Sequence, residues 1–283
     1  MNIYRSIDSE TVFNILPERA VDTHKGDYGK ILLLCGSRGY TGAAALAAMG
    51  ALRTGAGLVY LAVPESIYSI VATKLLEPVV IPVPDANGMF SDAAIPYISD
   101  ILTKMNAILL GPGIGISSVT RKIAEFVINN SNCPLVLDAD GINVISDHID
   151  ILRDRTYPTI LTPHQGEFSR MGGCATGDRI LNAAQMATRI GSIILLKGYN
   201  TVITDGITHY VNKTGNPGMA TGGSGDVLSG IIVSLLGQGI DPLLAATCGA
   251  WLHGAAGDIC AEEIGQYGML PQDMIQVLPR LLR

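Results

Sequence analysis

The stretch N-P-G-M-A-T-G-G-S-G-D-V-L-S-G, residues 216–230, places five glycines and one aspartate directly before a long apolar run. The run predicts a buried helix over residues 220–236. Glycines before a helix let the backbone approach a ligand, and the N–H groups and dipole of the helix then favour an anion. Asp226 near the helix start has two interpretations: an N-cap, which stabilises a helix by about 1 kcal/mol, or a general base beside a phosphate site.

The composition indicates a soluble protein with a large buried core, since 48% of the 283 residues are hydrophobic and 16% are charged. The net charge of −6 argues against nucleic acid as a partner, because nucleic acids are normally bound by a basic surface. Uncharged apolar runs such as residues 227–240 are shorter than the ~20 residues of a membrane span, and the amino terminus lacks a secretory signal pattern. We therefore expect no membrane partner and a cytoplasmic location.

Six apolar runs are nearly continuous rather than alternating, which is typical of strands that are covered on both faces. They span residues 30–35, 58–63, 107–111, 134–138, 158–162 and 192–197. Stretches with helical spacing, at residues 42–54, 117–129 and 178–190, lie between some of them. This alternation predicts an α/β fold with right-handed crossovers and a doubly wound, mostly parallel central sheet flanked by helices on both faces. We assign residues 1–283 to a single domain, because neither a linker nor a repeat divides the chain.

The carboxyl-terminal third departs from this alternation. Residues 201–211, T-V-I-T-D-G-I-T-H-Y-V, predict a hairpin with a two-residue turn at Asp205 and Gly206. Two long helices are predicted over residues 220–236 and 242–264, and a last one follows Pro271.

Short polar motifs follow several predicted strands, and in an open α/β sheet ligands bind beyond the carboxyl ends of the strands. The motifs are G-S-R-G-Y-T-G-A-A (36–44), G-P-G-I-G (111–115), L-D-A-D-G-I-N (137–143), T-P-H-Q-G-E (162–167) and K-G-Y-N-T (197–201). Taken singly, each motif is explained by a turn, a helix cap or a solvated strand end. His164, with Glu167 three residues later, is a candidate to contact a ligand or to orient water around Mg²⁺. Lys197 is placed to meet a phosphate.

Several well-known motifs of nucleotide, hydrolase and metal sites are absent from the sequence. The chain has no Walker A motif, no dinucleotide glycine fingerprint after the first strand and no G-x-S-x-G motif. Five scattered cysteines without C-x-x-C spacing predict reduced thiols rather than disulfides or a zinc site. Four further histidines share no metal-ligand spacing, and the sequence assigns them no role: His24, His148, His209 and His253.

Taken together, the motifs occur in an order that resembles the ADP-dependent NAD(P)H-hydrate dehydratases, whose catalytic domain has a ribokinase-like fold. The resemblance runs from H-K-G-D-Y-G-K (24–30) to Y-G-M-L-P-Q-D-M-I (267–275), and the block at 216–230 is its most specific part. It implies removal of water from the S epimers of hydrated NADH and NADPH (NADHX and NADPHX), with ADP consumed and AMP and phosphate released. Mg²⁺ as cofactor, a homotetramer and a separate NAD(P)HX epimerase as a functional partner are expected on the same ground.

The resemblance also assigns residues by position. It implies that Ala43, Gly113, His164 and Asp226 contact the hydrated dinucleotide, and that Asp226 is the catalytic base. The adenine nucleotide would be held by Lys197, Gly198, Tyr199, Asn200, Thr201 and Gly225. The phosphate cradle would consist of Gly222, Gly223, Ser224 and Gly225. Glu167 would orient Mg²⁺ indirectly, by analogy with the N-x-x-E pattern of related kinases, although His164 replaces the asparagine.

Two alternatives share part of this pattern. A ribokinase-like kinase of a small alcohol, such as a vitamin precursor, would have the same fold, the same anion site and the same aspartate. A nucleotide-binding module without catalysis would have no need for Asp226 after G-G-S-G. The choice of ADP over ATP rests on the resemblance alone, because the residues do not distinguish the two nucleotides.

Overall fold

The structure is a computed structural model that describes residues 4–16, 18–174 and 176–282. Ten strands form one sheet in the order β1-β12-β11-β10-β9-β8-β7-β2-β3-β4, and β5 and β6 form a separate hairpin. The strands are β1 Arg5–Ser6, β2 Lys30–Leu34, β3 Leu58–Pro64, β4 Val79–Val83, β5 Asp85–Ala86, β6 Met89–Phe90, β7 Ala107–Leu110, β8 Leu135–Leu137, β9 Thr159–Leu161, β10 Ile193–Leu196, β11 Thr201–Thr204 and β12 His209–Asn212. Only β11 pairs antiparallel with its neighbours in the described sheet.

Eleven α-helices connect or follow these strands in the described residues. They are α1 Ser9–Ile15, α2 Thr41–Arg53, α3 Glu65–Ala72, α4 Ile95–Leu102, α5 Ser118–Asn130, α6 Asp140–Asn143, α7 Gln165–Arg170, α8 Arg179–Ile190, α9 Ser224–Gly237, α10 Pro242–Glu263 and α11 Pro271–Leu281. Short 3-10 helices occupy Asp92–Ala94, Ser146–Asp154 and Pro217–Met219. None of the described helices is long and apolar enough to cross a membrane.

Two hydrophobic cores lie on opposite faces of the sheet, as successive residues of β2 illustrate. Ile31 and Leu33 belong to the core formed with α2, α9, α10 and α11, whereas Leu32 and Leu34 belong to the core formed with α4, α5 and α8. Adjacent side chains of a strand point to opposite faces, so a strand covered on both sides must be apolar throughout. The predicted doubly wound parallel sheet is confirmed.

The predicted strands and helices agree with the structure to within a few residues, with two differences in the last third. The hairpin β11–β12 has a four-residue loop instead of the predicted two-residue turn, because Thr204 pairs with His209. The Asp205 carboxylate accepts hydrogen bonds from the amides of Ile207 and Thr208, which stabilises the wider loop. The second difference, the later start of α9, concerns the site and is described below.

Helices α2 and α9 pack in direct backbone contact through glycine. A Cβ at Gly230 would collide with the carbonyl oxygen of Ala47, and a Cβ at Gly50 would lie 2.8 Å from the carbonyl oxygen of Val227. Both positions therefore require glycine for steric reasons, and the contact fixes α9 against the helix that follows β2.

Substitution Gly230→Ala is expected to destabilise the protein by about 2 kcal/mol or more, because the added methyl forces two packed backbones apart. Gly42→Ala, at the start of α2, provides the matched control, since a Cβ there meets open space. The control is expected to be neutral or to stabilise by up to about 1 kcal/mol. Urea unfolding midpoints measure both effects, and equal midpoints for the two variants would contradict the packing argument.

Candidate active site

The carboxyl ends of five parallel strands, β2, β7, β8, β9 and β10, meet at one edge of the sheet. Each of the five motifs that the sequence placed after a strand begins at this edge. The parallel sheet therefore brings together segments that are distant in the sequence, from residue 36 to residue 201.

A cavity of about 770 Å³ opens between the loop after β10, the residues after β12, the first turn of α9 and the middle of α10. Its volume is in the range of small-molecule and cofactor sites. Nine of the predicted site residues line it: His164, Lys197, Gly198, Tyr199, Asn200, Thr201, Gly222, Ser224 and Gly225.

The remaining predicted residues do not line this cavity: Ala43, Gly113, Glu167, Gly223 and Asp226. Ala43 and Gly113 are neighbours of each other, because a Cβ at Gly113 would lie 3.0 Å from the Cβ of Ala43. Gly223 turns the chain with φ of 95° and approaches Leu46 of α2 so closely that a side chain would not fit.

The start of α9 corrects the predicted helix boundary. After the 3-10 turn Pro217–Met219 the α-helix begins at Ser224, four residues later than predicted, with Gly223 as its N-cap and no side-chain cap. Asp226 is the third residue of the helix, so its interpretation as the N-cap is wrong. In the described residues, the amides of Gly225 and Asp226 have no hydrogen-bond acceptor, and they leave the helix N-terminus open for an anion.

Asn216 holds the turn that precedes this helix against α10. Its side-chain amide donates to the carbonyl of Gly257 at 2.9 Å and to the carboxylate of Asp258 at 3.1 Å, while its side-chain oxygen accepts from the amide of Gly218 at 3.0 Å. Asp258 also accepts from the amide of Gly215 at 2.8 Å. The N-P-G part of the motif is therefore a structural anchor.

Lys197 and Asp138 form an ion pair at the centre of the site, with 2.9 Å between Nζ and Oδ1. The Asp138 side chain is 1% exposed, and Glu167 Oε2 lies 4.0 Å from the same Nζ. Burial acts to lower the pKa of Lys197, but the charges of Asp138 and Glu167 outweigh it, and the pKa is raised. Lys197 therefore stays protonated, and Gly225 gives it room, since a Cβ there would lie 3.3 Å from Nζ.

The carboxyl group of Asp226 has a pKa close to neutral pH. Burial and the charge of Asp138 raise its pKa from 3.8 to about 7, although Lys197 opposes the shift. Burial and the charge of Asp226 also raise the pKa of Cys35, the residue after β2, which places the carboxylate close to that strand end. A carboxyl with a pKa near neutrality is suited to general-base catalysis.

The motif L-D-A-D-G directs its two carboxylates to different partners. Asp138 pairs with Lys197, while Asp140 accepts a hydrogen bond from the amide of Gly115 at 2.9 Å and so holds the G-P-G-I-G loop. Ala139 between them has φ of 49°, a conformation that a residue with a Cβ rarely adopts. Such strain typically persists at functional sites, where the surrounding contacts enforce it.

His164 caps α7 and also lines the cavity. Its Nδ1 accepts hydrogen bonds from the amides of Gly166 and Glu167, at 2.9 and 3.2 Å, and Glu167 in turn accepts from the His164 amide at 2.8 Å. This reciprocal cap stabilises α7 and leaves the proton of the neutral ring on Nε2. The side chain is nevertheless 55% exposed and lines the cavity.

His253 is a site residue that the sequence did not identify. Its Nε2 lies 3.2 Å from Ser224 Oγ in the first turn of α9, and the residue lines the cavity. Burial lowers its pKa to about 4, so the ring is neutral at physiological pH. The spacing of metal ligands, by which the sequence assigned His253 no role, does not bear on a histidine that contacts a hydroxyl group. The available signal was an imidazole within the small and apolar run of residues 242–257.

The side chains of the site fit a Mg²⁺ ion that binds together with a nucleotide. They fit a metal ion held by protein ligands alone less well. No group of three or more His, Cys, Asp or Glu side chains in the described residues is arranged to hold a metal ion. Mg²⁺ usually keeps several waters and binds substrate phosphates with one or two carboxylates. Glu167 and Asp226 provide two carboxylates beside the open helix N-terminus.

Comparison with known proteins identifies the family of the chain. A sequence model of the NAD(P)H-hydrate dehydratases matches residues 31–280. The chain belongs to this family. It is 42% identical over 275 residues to the bifunctional NAD(P)H-hydrate repair enzyme of Moorella thermoacetica, a match that covers 95% of this chain and 52% of that protein. The chain spans about half the length of the curated relatives that it matches.

Solved structures extend the family assignment to the fold. The ADP/ATP-dependent NAD(P)H-hydrate dehydratase from Bacillus subtilis, co-crystallised with ATP and Mg²⁺, superposes with a TM-score of 0.85 at 31% identity, covering 99% of this chain and 98% of that one. A ribokinase-like superfamily protein from Enterococcus faecalis superposes with a TM-score of 0.88 at 27% identity, covering 100% and 98%. The fold of this family member is therefore ribokinase-like.

The raised pKa of Asp226 predicts a pH-dependent gain of stability on substitution Asp226→Asn. The folded protein binds this proton more tightly than the unfolded chain, so ionisation costs stability, and the cost grows as the pH rises from 3.8 to about 7. The variant is expected to be more stable than the wild type by roughly 2–4 kcal/mol at pH 8. Its advantage shrinks as the pH is lowered towards 4. Denaturant unfolding at several pH values measures it, and an advantage that is independent of pH would contradict the shifted pKa.

Proposed function

We propose that the protein restores NADH and NADPH from their hydrated forms, with removal of water driven by an adenine nucleotide. The observation that carries this proposal is the position of Asp226, a base with a pKa of about 7, in the first turn of α9 beside open amides and within electrostatic reach of the Lys197–Asp138 pair. Membership of the NAD(P)H-hydrate dehydratase family supports it. In the finer form of the proposal, ADP is the nucleotide and the S epimer is the substrate.

The two substrates occupy adjacent parts of the site in this proposal. The adenine nucleotide lies in the cavity, held by Gly225 and the five residues of the loop after β10: Lys197, Gly198, Tyr199, Asn200 and Thr201. The hydrated dinucleotide contacts Ala43, Gly113, His164 and Asp226. The cavity lining supports the nucleotide side of this division, and the proximity of Ala43 to Gly113 supports the dinucleotide side. His164, which also lines the cavity, would lie where the two substrates meet.

In the first step Asp226 takes the proton of the ring hydroxyl as its oxygen attacks the terminal phosphorus of the nucleotide. A new P–O bond forms, and the bond from that phosphorus to the leaving phosphate oxygen breaks, which releases AMP from ADP. The amides of Gly222, Gly223 and Gly225 hold the phosphoryl group, because main-chain N–H groups at a helix N-terminus stabilise negative charge without a basic side chain. Ser224, the fourth residue of the predicted cradle, contributes its hydroxyl group, since its amide donates to the carbonyl of Thr221 at 3.3 Å. His253 is placed to orient the hydroxyl of Ser224.

The second step breaks the ring C–O bond, and phosphate leaves in place of hydroxide, a much poorer leaving group. The ring nitrogen donates its electron pair as the bond breaks, and loss of a proton from the neighbouring carbon restores the dihydronicotinamide. When bound, Mg²⁺ would neutralise phosphate charge. Glu167 and Asp226 would accept hydrogen bonds from its waters.

The wider setting of the reaction belongs to the same proposal. We propose a cytoplasmic homotetramer that works alongside a separate epimerase, and a single catalytic domain over residues 1–283. Residues 1–3, 17, 175 and 283 of that range lie outside the described residues.

The direct test supplies the protein with NADHX, Mg²⁺ and either ADP or ATP, and follows the return of reduced nicotinamide absorbance and the release of inorganic phosphate. Recovery of NADH with either nucleotide supports the proposed reaction, and recovery with ADP supports its finer form. Accumulation of a stable phosphate ester would instead indicate a small-molecule kinase. No recovery with either nucleotide would overturn the proposal.

Asp226→Asn is expected to lower turnover by about 100-fold or more, because it keeps the shape of the side chain and removes the base. Asp241→Asn is the matched control, since Asp241 caps α10 through the amides of Leu243 and Leu244 and asparagine caps equally well. The wild-type kcat/KM is expected to fall below pH 7 as Asp226 becomes protonated. Near wild-type turnover of the Asp226→Asn variant would remove Asp226 from the mechanism.

A further inference from the structure

The loop of residues 197–201 connects β10 to β11 and all five of its residues line the cavity. Its backbone is unusual at two positions, because Gly198 has φ of 145° and Asn200 has φ of 54°. Glycine has no Cβ, and asparagine adopts a positive φ more readily than other residues with a Cβ, so the sequence permits this conformation and the contacts around the loop select it.

Arg179, the first residue of α8, supplies these contacts. Its Nη1 donates to the carbonyl of Tyr199 at 2.7 Å, and its Nη2 donates to the carbonyls of Leu196 and Lys197, both at 3.1 Å. Hydrogen bonds from a charged donor are shorter and stronger than those between neutral groups. A planar guanidinium presents several donors in a rigid fork, which an ammonium group does not.

Gly198 is shaped to admit this guanidinium. A Cβ at this position would lie 3.0 Å from both Nη1 and Nη2 of Arg179, closer than side chains normally pack. The glycine of K-G-Y-N-T is therefore required by the side chain beneath it as well as by its own φ. Arg179 and Gly198 form one unit, although 18 residues separate them.

The guanidinium of Arg179 binds the loop and not an acidic side chain. Arg179 forms no ion pair with any residue in the described ranges, its Nε is buried without a hydrogen-bond partner, and burial lowers its pKa. Because a trans peptide points its C=O and the following N–H in opposite directions, the carbonyl of Tyr199 aimed at Arg179 turns the amide of Asn200 away from it. That amide has no acceptor among the described residues.

We infer that Arg179 is a positioning residue for the nucleotide: it holds the 197–201 loop in the conformation that binds adenine nucleotide, without touching the nucleotide itself. The inference rests on the proposed function, because it assigns this loop to the nucleotide. Nothing in the sequence pattern marked Arg179, which is the second residue of an ordinary predicted helix.

Arg155 offers a matched control at the opposite edge of the sheet, beside the amino ends of β8 and β9. Its guanidinium also donates to three carbonyls, those of Ile128, Ser131 and Cys133, and its Nε donates to Thr159. It precedes β9 and lies away from the cavity residues. Arg155→Lys therefore reports the cost of losing a carbonyl-binding guanidinium that has no nucleotide nearby.

The experiment measures ADP and ATP binding by calorimetry, with Mg²⁺, for the wild type, Arg179→Lys, Arg179→Ala and Arg155→Lys. Arg179→Ala is expected to weaken nucleotide binding by about tenfold or more, with Arg179→Lys in between. Arg155→Lys is expected to bind like the wild type even if it is less stable. In kinetics, the KM for nucleotide rises in the Arg179 variants while the KM for NADHX stays unchanged.

Coupling to Gly198 provides a second, independent measurement. Gly198→Ala is expected to weaken nucleotide binding in the wild type, and to add less weakening in the Arg179→Lys background, where the guanidinium that it displaces is already gone. This readout remains available if Arg179→Ala does not fold.

The outcomes separate the two proposals. A wild type that binds nucleotide together with Arg179 variants that bind it equally well would overturn the role of Arg179 and leave the proposed function standing. The role of Arg179 is overturned in the same way if Arg155→Lys weakens binding as much as Arg179→Lys does. A wild type that binds neither ADP nor ATP would overturn the proposed function, and the role of Arg179 with it.

Discussion

The ion pair between Lys197 and Asp138 joins the carboxyl ends of β10 and β8 across the intervening β9. The Asp138 carboxylate is buried, so removal of either partner would leave the other charge without compensation in the interior. Glu167 and Asp226 add negative charge around the same single lysine. Burial, reinforced by the charge of Asp138, raises the pKa of Asp226 to about 7, although Lys197 acts in the opposite direction. The pair thus joins the strand ends and contributes to the pKa of the proposed base.

The first turn of α9 gives this acidic protein a main-chain site for an anion. With a net charge of −6 and the charge of Lys197 compensated by Asp138, the cavity draws its positive potential from this turn and from the exposed Lys213. That turn is fixed from two directions, by the glycine contact with α2 and by the hydrogen bonds of Asn216 to α10. Preorganised amides of this kind need no reorganisation when charge develops on a bound group.

The sheet and the position of the site could be predicted from the sequence because both depend on local patterns. Continuous apolar runs identify strands that are covered on both faces, and the polar residues after them mark the edge where ligands bind. The start of α9 could not be placed, because T-G-G-S is compatible with both a turn and a first helical turn, and only the αL conformation of Gly223 decides between them. His253 and Arg179 were missed for a different reason. Their partners, Ser224 and the 196–199 carbonyls, are contacts made through the folded chain.

The two ends of the ten-stranded sheet differ from its interior. At one end β1 spans only Arg5–Ser6, and at the other β4 carries the exposed Pro82 as the fourth of its five residues. A short strand and a proline are both poor templates for a further strand, because one offers few backbone groups and the other lacks an N–H donor. The described sheet therefore gives a second chain little to pair with edge to edge, which protects a protein rich in buried apolar strands against aggregation.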